Sequence, residues 1–125
     1  MTSLNGESWA VESSGTINNL TSIACGNNKF VIVGESGTIL TSSDGQSWIA
    51  DLTTHTNNLS GVTYGDNQFI AIGENGISLT SKNAQSWDAQ ITASSNQLNK
   101  AAYNGKQIIV VGNNKTILSS KDGKL

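Results

Sequence analysis

Three tryptophans, Trp9, Trp48 and Trp87, are spaced 39 residues apart, twice over. A fixed period of this length is the mark of a repeat architecture, so the chain must be read as copies of one unit. In that register TSLNGESW (2–9), TSSDGQSW (41–48) and TSKNAQSW (80–87) align, and SSKDGKL (119–125) opens a fourth copy. Asn18, Asn57 and Asn96 share one column, and Leu20, Leu59 and Leu98 another. Gly34, Gly73 and Gly112 share a third. No insertion is needed, and the first two units agree at 15 of 39 positions. The repeats are 2–40, 41–79 and 80–118, with a partial box at 119–125.

Each unit reads as four short strands. In the second, LSGVTY (59–64) is followed by the turn signal GDN. QFIAIG (68–73) is a nearly continuous apolar run, as in a strand covered on both faces. ENG (74–76) has the chemistry of a tight turn. ISLTS (77–81) and SWDAQI (86–91) complete the set. No apolar stripe of helical period is sustained, and glycine is frequent. Four antiparallel strands in 39 residues match a propeller blade, typically about 40–45 residues in the best-known class. A parallel β-helix is the rival, but its coils are usually shorter and need no hairpin signals.

The fold class is therefore all-β: β-propeller blades of four antiparallel strands, three per chain. With strands named A to D outward from the axis, the chain opens on a D strand at about Glu7–Glu12 and closes on A, B and C. The two defects are complementary, and unpaired sheet edges are a liability. Three blades would each have to wedge through about 120°, which twisted sheets do not do. Rings hold about four to eight blades, so two chains give six. The expectation is a homodimeric ring, each N-terminal strand completing the last blade of its partner. A piece of a longer propeller, natural or engineered, is the alternative.

The string GESGTILTSSDGQSW (34–48) resembles the Asp-box blades of bacterial sialidase-like repeat proteins. It also resembles the repeats of photosystem II stability and assembly factor-like propellers, and SGTINNLTSIACGNNKFVIVG (14–34) extends the likeness across a whole blade. That resemblance implies that Asp44 and Asp122 bond amides of their own C–D turns, and that Trp9, Trp48 and Trp87 pack between sheets. Asn5 and Gly6 fit the box. Asn83 and Ala84 depart from it, because a left-handed turn position has lost its glycine, so a changed turn type is expected there. The blade type serves glycosidases, assembly factors and lectins alike, so it fixes no ligand.

Chemistry narrows the choice. The seven basic residues are all Lys, and the formal net charge is −2. That is not the footprint of a nucleic-acid binder. Without Arg there is no guanidinium to clamp a sialic-acid carboxylate. His55 is the one histidine and reads as a loop residue, without the partners of a triad or metal site. Cys25, in a column with Tyr64 and Tyr103, reads as a buried strand-end hydrophobe. No catalytic residue, metal or cofactor is implied. No apolar run approaches a membrane span. The opening MTSLNGESWA lacks the basic start and apolar core of a secretory leader, which leaves the compartment open, with the cytoplasm as expectation for the expressed chain.

A binding surface remains. The D–A segments SSGTINN (13–19), LTTHTNN (52–58) and TASSNQ (92–97) share a face with the B–C turns and are rich in hydrogen-bonding groups. Asn18, Asn19, His55, Asn57, Asn58, Asn96 and Gln97 are the candidate ligand residues, and a structural role at the entry to strand A is equally open. Three functions follow: a non-enzymatic scaffold for a protein partner, a multivalent lectin for glycans, or a half-propeller with no ligand of its own.

Overall fold

The computed structural model describes residues 1–51 and 53–125; Leu52, the first residue of the second D–A segment, lies outside the described residues. Blade one runs β1 (Leu20–Gly26), β2 (Lys29–Gly34), β3 (Ile39–Ser42) and β4 (Ile49–Ala50), hydrogen-bonded in that order. Blade two repeats it with β5 (Leu59–Gly65), β6 (Gln68–Gly73), β7 (Ser78–Ser81) and β8 (Asp88–Gln90). Blade three has three strands, β9 (Leu98–Tyr103), β10 (Ile108–Gly112) and β11 (Ile117–Ser120). All pairings are antiparallel, and register is kept from blade to blade: Leu20 faces Gly34, Leu59 faces Gly73 and Leu98 faces Gly112. Among the described residues no helix is long and apolar enough to cross a membrane.

Turn chemistry sets this register. The A–B hairpins turn on Asn27–Asn28 and Asp66–Asn67, all four at positive φ, as a two-residue hairpin matched to strand twist requires. Each of the first two B–C connections is one 3₁₀ turn, Glu35–Gly37 and Glu74–Gly76. Their last residues lie at φ 69 and 70. A side chain there would collide with the carbonyl oxygen of His55 or Ser94 in the D–A loop above, so only glycine fits. In blade three the position is Lys115, at φ 61.

Packing is between blades. Every residue of β6 is buried, as its unbroken apolar run predicts. One core cluster joins Val31, Val33 and Ile39 to Leu59, Phe69 and Leu79; a second joins Ile70 and Ile72 to Leu98, Ile108 and Val110. Blade two thus has a neighbour on each face, and blades one and three each have one.

Three expectations need correction. The strand expected at about Glu7–Glu12 is reduced to an isolated bridge, with Ala10 and Thr2 exchanging two hydrogen bonds of 2.8 Å. It has no full C strand beside it, only Thr2. Cys25 is exposed rather than buried, because its face of blade one has no blade against it. The Ala84 turn keeps its type: Ala84 takes the left-handed conformation itself, at φ 60, and is fully buried.

Replacing Phe69, fully buried between blades, with Ala should cost about 3–5 kcal/mol. Ile49→Ala, at a residue 72% exposed, should change stability by less than about 0.5 kcal/mol. Urea unfolding midpoints measure both.

Candidate functional site

The C–D boxes are built by one hydroxyl and one acid or amide. Ser42 Oγ accepts from the Gly45 amide at 2.8 Å, and Asp44 Oδ1 accepts from the Gln46 and Ser47 amides at 2.8 Å each. Asn5 does the same for Glu7 and Ser8, and Asn83 for Gln85 and Ser86. Asp122 Oδ1 accepts from the Lys124 amide at 3.2 Å. One carbonyl-type oxygen suffices, so Asn and Asp are interchangeable as turn acceptors. Trp48 and Trp87 are half-buried, whereas Trp9 is 58% exposed, which corrects the expectation that all three pack between sheets: no neighbouring blade covers it. The amides of Ser47 and Gln46 hold the Asp44 carboxyl down at about 2, and that of Lys124 lowers Asp122 in the same direction.

The loop face is tied together by its asparagines. Asn18 Nδ2 donates to Thr38 Oγ1 and Asn96 Nδ2 to Thr116 Oγ1, both at 2.8 Å, fastening each D–A loop to the next B–C turn. Asn57 has Ile77 in place of that threonine, and its backbone carbonyl accepts from the Gly37 amide at 2.9 Å. Asn19 Nδ2 donates to Glu35 Oε1 at 3.1 Å, and Asn58 Nδ2 to Glu74 Oε1 at 2.8 Å. Asn58 Oδ1 also accepts from the Ser36 amide at 2.8 Å. Gln97 Nε2 donates to the Leu98 carbonyl at 2.9 Å. His55 is half-buried, with its carbonyl accepting from Thr53 Oγ1 at 3.2 Å. These candidates are dealt out blade by blade, and most of their amides are engaged in the fold itself.

Two concave regions stand out. A shallow cleft of about 510 Å³ on the loop face is lined by Asn57, Asn75, Gln90, Thr92, Ser94 and Ser95. Of the sequence candidates only Asn57 lies in it. Thr92, Ser94 and Ser95 come from the TASSNQ segment of the expected binding surface, Asn75 from the ENG turn on the same face, and Gln90 from the end of β8. A larger cleft, about 1250 Å³, opens between the N-terminal hairpin and the uncovered face of blade one. Trp9, Leu20, Ile23, Phe30, Ile32 and Trp48 give it an apolar wall. Among the described residues no cluster of three or more His, Cys, Asp or Glu is placed to hold a metal ion.

No family model matches this chain, and no curated protein matches it. Among solved structures it is similar to "YCF48 bound to D1 peptide", with a TM-score of 0.76 and 21% identity. The match takes in 88% of this chain and 39% of that one, so the chain spans about two-fifths of the neighbour's length. The likeness establishes the fold: these sheets are β-propeller blades.

Because its native carboxyl titrates near 2 instead of 3.8, Asp44 favours the folded state above about pH 4. That contribution fades as pH falls from 3.8 towards 2. Asp44→Asn keeps the acceptor and removes the titration. It should fold like the parent and show a flatter loss of stability between pH 4 and 2, read from thermal unfolding across that range.

Proposed function

We propose that this chain is a non-enzymatic propeller scaffold that associates with copies of itself to complete a ring and holds a protein partner on the loop face. The observation that carries the partner half is the pairing of a polar loop-face cleft with a structural neighbour solved in complex with a peptide. Asn75 and Ser95 offer an amide and a hydroxyl to an extended backbone, whose own donors and acceptors need partners, while Thr92 Oγ1 and Gln90 Nε2 brace the cleft by donating to the Gly76 and Ser94 carbonyls and to Thr80 Oγ1. The resemblance of the 34–48 string to assembly-factor repeats points the same way.

Self-association follows from the edges. β11 has a partner on one side alone among the described strands, and Ala10–Glu12 stands 39 residues before the segment that begins at β4. The ring so formed has six blades, each chain supplying half. The boundaries 2–40, 41–79 and 80–118 then mark sequence units, and each blade draws its four strands from two of them.

Two measurements test the reading. Light scattering should give twice the 13.1 kDa of one chain; a monomer overturns association and leaves these blades as part of a longer ring. A displayed library of short linear peptides should yield binders whose amide shift changes centre on residues 75–77 and 90–95. Silence from the library together with binding on a glycan array would replace the protein partner by a sugar and make the chain a lectin.

A further inference from the structure

We propose that the uncovered face of blade one is the seat for blade three of a second copy, docked through the contacts that already join blade to blade within the chain. This rests on the reading that copies associate, and adds the faces and the register.

The first contact is a ring on a flat spot. A side chain on Gly26 would fall inside the ring of Tyr64, and one on Gly65 would meet Tyr103, its Cβ only 2.6 Å from the Tyr103 Cβ. Each blade thus offers a glycine on which the tyrosine of the next blade rests. Thirty-nine residues on, the glycine column carries Asn104; thirty-nine back, the tyrosine column carries Cys25. Both depart together, and in opposite senses. Bulk added at the glycine is matched by bulk removed at the tyrosine. An asparagine facing a tyrosine there would be shut out, whereas facing Cys25 it has room. Cys25 is exposed, and Asn104 braces its own turn by accepting from the Lys106 and Gln107 amides at 3.0 Å.

The second contact is a backbone lock. Thr21 Oγ1 donates to the Leu59 carbonyl at 2.6 Å, and Ser60 Oγ donates to the Leu98 carbonyl. The next donor in that column is Asn99, whose Nδ2 spends one hydrogen on Asn113 Oδ1 at 3.0 Å and keeps the other; the carbonyl it would meet is that of Leu20 in a second copy. Leu59 and Leu98 are fully buried, while Leu20 is 39% exposed and Ile23 58%. The third contact is an outer pin. Lys29 Nζ donates to the Asn83 carbonyl at 2.8 Å and Gln68 Nε2 to the Asp122 carbonyl at 2.7 Å. Gln107 continues the donor column, and the Asp44 carbonyl of a second copy the acceptor column.

The seat is also roofed as an internal junction is. Thr2 Cγ2 lies 3.7 Å from the Cβ position of Gly45, as Thr80 Cγ2 lies 3.5 Å from that of Gly123. The 1250 Å³ cleft is the space left beneath the roof for strands A and B and the start of strand C; Thr2 and Ser3 hold the places that Ser119 and Ser120 of a second copy take up, so the Thr2–Ala10 bridge opens on docking. At the position of Gly37 and Gly76 blade three carries Lys115, at φ 61, whose side chain leaves no room for a loop packed as the internal ones are, so in this docking the loop following Ala10–Glu12 of the second copy stands off blade three. The docking is therefore one of sheet faces.

The test is a single new cysteine, Asn104→Cys. Positions 25 and 104 lie on blades one and three with blade two between them, so a bond between them must join two chains. Disulfides need β-carbons about 3.5–4.5 Å apart, within reach of the Gly65–Tyr103 geometry after slight relaxation. On mild oxidation the variant should run as a covalent dimer, with a 25–104 disulfide in peptide mapping. A dimer in light scattering that forms no 25–104 bond, or only 25–25, overturns this docking and leaves association standing; a monomer overturns both. In addition, Cys25→Tyr should weaken association by roughly tenfold or more by crowding Asn104. Cys25→Tyr with Asn104→Gly, which recreates the internal pair, should restore it. Equal association of all three proteins would also overturn the docking.

Discussion

A propeller blade has two apolar faces, and each needs another sheet. That requirement governs the rest of this structure. Blade two meets it on both sides, and all of β6 is buried. Blades one and three meet it on one side, and the exposed apolar residues Leu20, Ile23, Val111 and Ile117 fall on them. The hydrophobic driving force is the same in all three blades. What differs is whether a neighbour is there to receive it. Stability in such an array is approximately a sum of unit and nearest-neighbour terms, so each junction matters as much as each blade.

Much of this was legible in the sequence because one signal was strong. The 39-residue register placed the strands of the second unit to within two residues, and the turn residues named the hairpins. Asp44 and Ser42 act on amides two and three positions away, so their role could be read locally. Ala84 misled for a local reason as well. Losing glycine suggested a different turn, but the Asn83 and Ser81 bonds hold alanine in the left-handed region. Trp9, Cys25 and the Glu7–Glu12 segment misled for a non-local one. Their environments depend on a neighbouring sheet, and a periodic pattern records what lies within a unit better than what stands beside it.

The same limit applies to the candidate site. The asparagine columns suggested a ligand surface, and the structure shows what those amides do in the chain: they lash loops to turns at 2.8–3.1 Å. A group committed in this way is a poor ligand donor unless the ligand offers something better than the bond it replaces. The cleft of Asn75, Gln90, Thr92 and Ser94 is set by the meeting of two connections with the end of β8, and no column advertises it. Likewise the Cys25–Tyr64–Tyr103 column and the Gly26–Gly65–Asn104 column are both plain in the sequence. Only geometry shows that one faces the other.

The tyrosine resting on glycine has a consequence for counting. Its ring holds two neighbouring sheets at one separation, and so at one angle. The number of blades in a circle is the number of such angles that fit into a full turn. A chain with identical junctions throughout would have no adjustment, and a small error per step would accumulate around the circle. In the proposed docking, where Cys25 and Asn104 would replace the pair, the spacer would be of another size. Such a seam would take up the accumulated difference, much as one shimmed joint lets a ring of equal staves close.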